Sequence, residues 1–511
     1  MSDNRDRVGG LERAVLIAAI LASSMAFLEG SALNVALPAM QIDLDASATE
    51  LLWIVNAYQV MLAAFILVGG SLGDRLGRRK VFAAGMTLFM AASLVCGLAP
   101  TASFLIAARV LQGAGGALMI PGSLALINSL VSAERRGEAI GTWSAVTTVV
   151  VIIGPVLGGF LAGLGLWRLV FLIAVPVGLP ALVVLLRGVP ENRDAAAGPV
   201  DLPGGALAVL SLAGLTYGFI AAPDFGFSDG RVLLALAVGV LGLAAFVWVE
   251  RRSAYPMMPL HVFRSATFSG ANLLTFFLYG ALTASNFFLA LNLVQAQGYS
   301  EALAGLAFLP FSIPLALLSR WAGRWADRNG PRRLLILGPA AVGAGFILLA
   351  LPGVTAGPAA YWTTYFPGVL LFGIGMGLTV APLTTAVMAA LPRRYSGVAS
   401  GINNAISRTA GVLAVAILGS LALFMFQGQL LNHVSALDLP APAVDALRSQ
   451  AGELGALSVP AAVPAGQASA VEVAVRQSFA GTFRVILLVC AAMAFVSAGM
   501  AAWLIRDGED Q

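Results

Sequence analysis

Fourteen stretches of mainly apolar residues, each about long enough to cross a ~30 Å hydrocarbon core as a helix, leave this chain few folds to choose from. They lie near 13–36, 51–73, 82–98, 102–127, 139–163, 168–187, 203–222, 232–250, 268–294, 303–320, 332–352, 362–388, 397–425 and 481–504. Of the 511 residues, 59% are hydrophobic and only 11% charged, with a mean hydropathy of +0.89, far from the balance of a soluble domain. The reading is an all-α integral membrane protein lying in the lipid bilayer. Basic residues before the first run imitate a signal peptide, but the run continues into Asn34 and Pro38, so it reads as a retained first helix.

Arginine placement orients the helices. With the amino terminus inside, Arg75, Arg78, Arg79, Lys80, Arg135, Arg136, Arg324, Arg328, Arg332, Arg333, Arg393 and Arg394 all fall on the inner face. The outer face keeps Arg168, Arg231, Arg448, Arg476 and Arg484, while Arg109 and Arg408 fall inside the membrane. Both termini are therefore expected in the cytoplasm. A polar inner linker occupies 187–202, and a long outer loop is expected over 426–479.

Other function classes find little support. The basic residues gather at helix ends rather than along one face, which argues against nucleic acid. Cys96 and Cys490 sit in separate apolar runs, and His261 and His433 match no metal or catalytic spacing, so no metal site, cofactor or enzyme chemistry is expected.

One loop occurs twice. "GGSLGDRLGRRKVF" (69–82) and "AGRWADRNGPRRLL" (322–335) both read G-x-x-x-D-R-x-G before basic residues. Gly70, Asp74, Arg75 and Gly77 match Gly323, Asp327, Arg328 and Gly330, with Arg78 following in the first copy. The repeat implies a six-helix half over 1–190, a linker and inserted helix pair over 191–264, and a second half over 265–511. Glycine there permits a sharp turn and close helix approach, and the aspartate can cap a helix or pair with arginine to hold the inner face shut.

Together with this loop, "LEGSALNVALP" (28–38), "ARVLQGAGGALMIP" (108–121) and "GPVLGGFLAGLGLWRLVFLIAVPVG" (154–178) resemble the major facilitator superfamily, in its fourteen-helix drug/proton antiporter branch. The resemblance covers essentially the whole chain. It implies a major facilitator fold and a bacterial inner-membrane location. Two departures stand out: Glu29 where the branch ordinarily has Asp, and Ala174 where it commonly has Asn. Gly154, Gly158 and Gly159 share a helix face that admits a neighbouring backbone, and Pro155 bends the helix; the motif favours export over import.

Glu29 is the acid placed well inside a span. Charge at mid-membrane costs about 2.5 kcal/mol or more, so such a residue is functional by default. Lipid favours its neutral form and Arg109 its carboxylate; the sequence does not choose between a proton carrier and a structural partner for Arg109. Arg109 pairs with Glu29 through water or with polar groups of helices one and five. In "GVASGINNAISRTAGVLA" (397–414), Arg408 is a second coupling candidate, a counterpart of helix five, or one member of an interhelical hydrogen-bond set with Asn403. Phe27, Asn34, Trp53, Asn56, Tyr58, Trp143, Phe287, Phe288, Asn292 and Asn403 are the candidate cavity residues, aromatic faces attracting lipophilic cations.

The expected function is a proton-coupled antiporter, driven by the proton gradient, that exports small hydrophobic or cationic drugs as a monomer. The rival is a dedicated exporter of one antibiotic or metabolite.

Overall fold

The computed structural model describes residues 2–193, 198–392 and 395–506. Arg393, Arg394 and linker residues 194–197 lie outside the described residues. Fourteen helices are long and apolar enough to cross a membrane. They are α1 (Ser2–Asp43), α2 (Ala48–Leu76), α3 (Arg78–Gly97), α4 (Ala102–Leu130), α5 (Ala133–Gly163), α6 (Leu169–Gly188) and α7 (Leu202–Phe225). There follow α8 (Gly230–Arg252), α9 (Ala266–Ala296), α10 (Glu301–Asn329), α11 (Arg332–Ala350), α12 (Phe366–Ala389), α13 (Ser396–Ser435) and α14 (Ala468–Leu504). No strand occurs among the described residues.

Local chemistry sets the helix starts. Ser47 and Glu50 form a reciprocal capping box on α2, and Thr101, Ser265 and Ser300 cap α4, α9 and α10 with their hydroxyls. Pro38, Pro121, Pro155, Pro314 and Pro382 lie inside helices, tolerated where neighbouring helices cover the freed carbonyls. The last turn of α9, Asn292–Ala296, is π-helical.

The helix bundle has two ends: the motif end, with the turns at Gly77 and Gly330, and the far end, with the turn at 44–47. Helices α1 to α6 pack mainly on one another, as do α9 to α14. The groups meet through α2 on α13, α5 on α10, and α1 on α9 and α10. Helix α7 packs on α8 and on both α2 and α13, whereas only 17% of the most apolar window of α8 is buried.

The expected outer loop is shorter than 426–479. Helix α13 runs on to Ser435 and α14 begins at Ala468, so the loop spans 436–467 and itself contains a helix, Ala441–Gln450. Gln427, Gln429, Asn432, Glu472 and Arg476 lower the hydropathy of these extensions and disguise them. What holds them is a stripe at helical spacing: Phe426, Leu430 and Val434 from α13 and Val471, Val475 and Phe479 from α14, all buried. His433 Nδ1 also lies 2.9 Å from Ser478 Oγ.

Candidate functional site: a buried ion pair behind a central cavity

Helix α1 carries Glu29, and α4 carries Arg109 and Gln112 one turn apart, on the same face. Glu29 and Arg109 are each 2% exposed and form a direct ion pair, Arg109 Nη1 donating to Glu29 Oε1. Gln112 Nε2 donates to the other carboxylate oxygen at 2.5 Å and to Ser93 Oγ of α3 at 2.7 Å, while Gln112 Oε1 accepts from Arg109 Nη1 at 2.6 Å. Arg109 Nε donates to the Ile54 carbonyl of α2 at 3.0 Å, and its guanidinium lies 4.3 Å from the Tyr58 ring centroid. Four helices thus hold one carboxylate and one guanidinium, with both oxygens of the acid occupied. Sequence reasoning paired Arg109 with Glu29 through water or with polar groups of helices one and five; in the structure the two side chains meet directly.

A cavity of about 250 Å³ lies beside this network, with Arg109 in its wall and Glu29 behind it. Phe27, Asn34, Tyr58, Pro155 and Arg408 also line it. The charged side chains of its wall are Arg109 and Arg408. Among the described residues, no carboxylate pairs with Arg408.

Other candidate cavity residues lie elsewhere. Trp53 packs on Tyr217, 6.3 Å between centroids. Asn56 is fully buried, and both its side-chain atoms lack a hydrogen-bond partner. Trp143 stands behind the wall, 6.5 Å from the Phe27 ring and donating to Ser23 Oγ at 3.0 Å. Phe287 and Phe288 are buried against each other, and Asn292 donates to the Tyr365 hydroxyl at 3.0 Å. These three lie farther along α9 towards the far end, whereas Leu282, Thr283 and Asn286 form the α9 wall. Asn403 donates to Asn272 Oδ1 at 3.1 Å and Thr275 Oγ1 at 2.7 Å, joining α13 to α9 by interhelical hydrogen bonds.

The glycine face of α5 is used in two directions. A Cβ on Gly154 would meet Ser31 Oγ, and one on Gly158 would stand 2.8 Å from Ala32 Cα, both on α1. A Cβ on Gly159 would meet the Glu301 carbonyl of α10, and Gly305 of α10 lies equally close to the Pro155 carbonyl. Backbone meets backbone here, so α5 seals the far end against α10. Gln41 of α1 reinforces it, accepting from Gln295 Nε2 at 2.8 Å and donating to the Glu453 carbonyl of the far-end loop at 3.1 Å.

At the motif end, Asp74 accepts from Arg78 Nε at 2.8 Å, an ion pair within its own turn. Asp327 accepts from Thr385 Oγ1 of α12 at 3.4 Å. Arg75 and Arg328 are exposed. The turns are made by Gly77 (φ 114°) and Gly330 (φ 81°), in the region that favours glycine. The close approach expected of Gly70 is absent, since a Cβ there would find only Pro121 Cβ at 3.9 Å; at Gly323 it would meet Ala381 Cβ at 3.2 Å.

Sequence reasoning did not single out Glu191. Its carboxylate accepts from the Arg79 and Lys80 amides at 3.1 and 3.2 Å, so the linker after α6 caps α3. A negative residue after a helix, opposite "GRRK", was the available signal. Gln112 was matched only as part of a motif, and Phe308, Phe311 and Ser312 of the α10 wall carried no signal beyond their apolar run.

The model for the Major Facilitator Superfamily matches residues 19–416. The chain belongs to the Major Facilitator Superfamily. Its fourteen candidate spans fit the superfamily's fourteen-helix branch, a branch of membrane transporters. Among superfamily relatives, the chain is 33% identical over 424 residues to the multidrug resistance protein Stp of Mycobacterium tuberculosis (strain CDC 1551 / Oshkosh), covering 82% of this chain and 77% of that one. It is 30% identical to the tetracenomycin C resistance and export protein of Streptomyces glaucescens, with coverage of 97% and 92%. With the multidrug efflux pump LfrA of Mycolicibacterium smegmatis the figures are 32% identity and coverage of 94% and 93%. A solved bacterial homologue of the human lysosomal transporter Spinster, inward-facing and unoccupied, shares the fold at a TM-score of 0.62 and 18% identity, covering 98% of this chain and 99% of that one. The protein is thus a multi-pass membrane protein of the superfamily, and its bacterial relatives place it in the inner membrane.

Proposed function

We propose that this chain is a proton-coupled antiporter that exports hydrophobic drugs, with its motif end and both termini in the cytoplasm and its two halves dividing at 1–190 and 265–511. The observation that carries the reading is the Glu29–Arg109 pair set behind the cavity wall. Ionised, Glu29 neutralises Arg109, and the wall offers aromatic and apolar surface to a hydrophobic solute. Protonated, Glu29 no longer compensates Arg109, which becomes a bare cation at the wall; the cavity then prefers water to a hydrophobic or cationic guest. Proton and substrate exclude each other without touching, which is the requirement for exchange as the halves rock. The membrane potential adds about 2.3 kcal/mol per charge per 100 mV.

Arg408 leaves the wall net positive when Glu29 is ionised, so neutral hydrophobic compounds form the first substrate class. Lipophilic cations, held on Phe27 and Tyr58, form the second. The names of the relatives support drug export. A dedicated exporter of one antibiotic is the second reading, favoured by the resemblance to a tetracenomycin C export protein.

The test uses inverted membrane vesicles energised with a proton gradient and offered neutral, cationic and anionic dyes of similar size. Wild type is expected to accumulate the neutral dye most strongly and the cation less. Glu29→Gln, which mimics the protonated acid, is expected at matched expression to bind dye more weakly and to lose gradient-driven accumulation. Normal accumulation by Glu29→Gln would remove Glu29 from the coupling step.

A further inference from the structure

Two acids outside the cavity are buried side by side. Asp201 immediately precedes α7 and is 9% exposed; Glu250 lies near the end of α8 and is 3% exposed. Each has one oxygen in use. Asp201 Oδ1 accepts from the Gly204 amide at 2.8 Å, and Glu250 Oε2 accepts from the Met258 amide at 2.9 Å. Their remaining oxygens, Asp201 Oδ2 and Glu250 Oε1, are buried without a hydrogen-bond donor. Both converge on the space left by a glycine: a Cβ on Gly204 would stand 2.8 Å from Glu250 Oε1 and 2.9 Å from Asp201 Oδ2.

Two carboxylates at such range, removed from water, do not both stay ionised without a counter-charge. The groups acting on Glu250 are the Met258 amide and the Asp201 carboxyl. On the neighbouring elements, Arg251 and Arg252 of α8 are exposed, Arg252 over the Trp248 ring at 4.4 Å. Asp74 of α2 is paired with Arg78, Arg75 is exposed, and Arg408 of α13 faces the cavity. Tyr255 lies against Gly198, and His261 against Tyr395. No group of three metal-ligating side chains occurs among the described residues.

We propose that Asp201 and Glu250 form a second proton-binding site, a carboxylic acid donating to a carboxylate with one proton between them, separate from Glu29. The shared proton satisfies both orphaned oxygens in one bond and removes one of two like charges. It fastens the start of α7 to the end of α8 and, through Met258, to the turn that follows. Loss of that proton sets two carboxylates against each other and loosens this corner. The fastening is therefore present at low pH and lost as pH rises.

The experiment uses the full chain in detergent with Glu29→Gln as the background, so that the cavity acid adds no signal. Infrared spectra across pH should show protonated-carboxyl carbonyl absorption that fades as pH rises and that loses a component when Glu250→Gln or Asp201→Asn is added. In parallel, hydrogen exchange of the unsubstituted chain, corrected for intrinsic rates, should show protection at 253–259 falling as pH rises. Glu250→Gln, whose amide can still donate to Asp201, should flatten that profile. An unchanged band in both variants, or flat protection in the unsubstituted chain, overturns the proposal. Protection restored at high pH by sodium, potassium or magnesium ions, with no acid band, would replace the proton by a cation.

Discussion

Arg109 and Glu29, eighty positions apart in sequence, meet as a direct ion pair with each residue only 2% exposed. Breaking such a pair from one side strands a buried charge, whereas removing both partners does not. Arg109→Met is expected to cost about 3–5 kcal/mol of stability. The double variant Glu29→Leu/Arg109→Met should recover much of it while remaining unable to couple. Thermal unfolding in detergent checks this; equal destabilisation of single and double variants would show that the pair is not the unit.

Gly159 of α5 has the Glu301 carbonyl where a side chain would stand, while Gly141 on the same helix has nothing within 4 Å. Gly159→Ala should therefore weaken far-end closure and lower transport several-fold. Gly141→Ala should leave transport unchanged and add about 0.5–1 kcal/mol of stability through helix propensity. Parallel transport and melting measurements distinguish a packing requirement from a general intolerance of α5 to substitution.

At the motif end the two acids should behave differently. Asp74 pairs with Arg78 on a partly exposed surface, so Asp74→Asn should change stability by less than about 1 kcal/mol. Glu191 receives two amides of the first turn of α3, and Glu191→Ala should cost about 1 kcal/mol. Reduced transport with unchanged melting in Asp74→Asn would mark the turn as a moving part; loss of both together would mark it as a brace.

Glu453 in the far-end loop sits partly buried near Asp45, and burial first, then that neighbour, holds its carboxyl above the usual range. The folded chain therefore binds this proton more tightly than the unfolded chain, and the stabilisation is present at low pH and lost as pH rises. Hydrogen exchange over 436–467 should show protection declining as pH rises in wild type and a flatter profile in Glu453→Gln.

Much of the fold was legible because lipid imposes a simple rule: a span must be apolar and about twenty residues long. The duplicated loop and the placement of Glu29 and Arg109 within spans could be read from pattern and position. What escaped depends on contacts no pattern encodes. The extensions of α13 and α14 leave the apolar register, and only their facing stripes make them helices. Phe287 and Phe288 have the composition of a cavity wall but are buried against each other outside it. Gly77 and Gly70 look equivalent in the motif, yet only the backbone angle shows which makes the turn. Asp201 and Glu250 stand at helix ends, where acids are ordinary; their convergence on Gly204 is a tertiary fact.

Helix α7 touches both α2 and α13, and through it α8 is tied to the seam between the two helix groups. Leu233, Leu234, Val240, Leu241 and Trp248 of α8 are more than half exposed and present an apolar flank to acyl chains. Any relative movement of α2 and α13 must drag this flank through the surrounding lipid. Under the rocking motion proposed above, this hairpin would act as a paddle, and bilayer thickness and lateral pressure would load it mechanically.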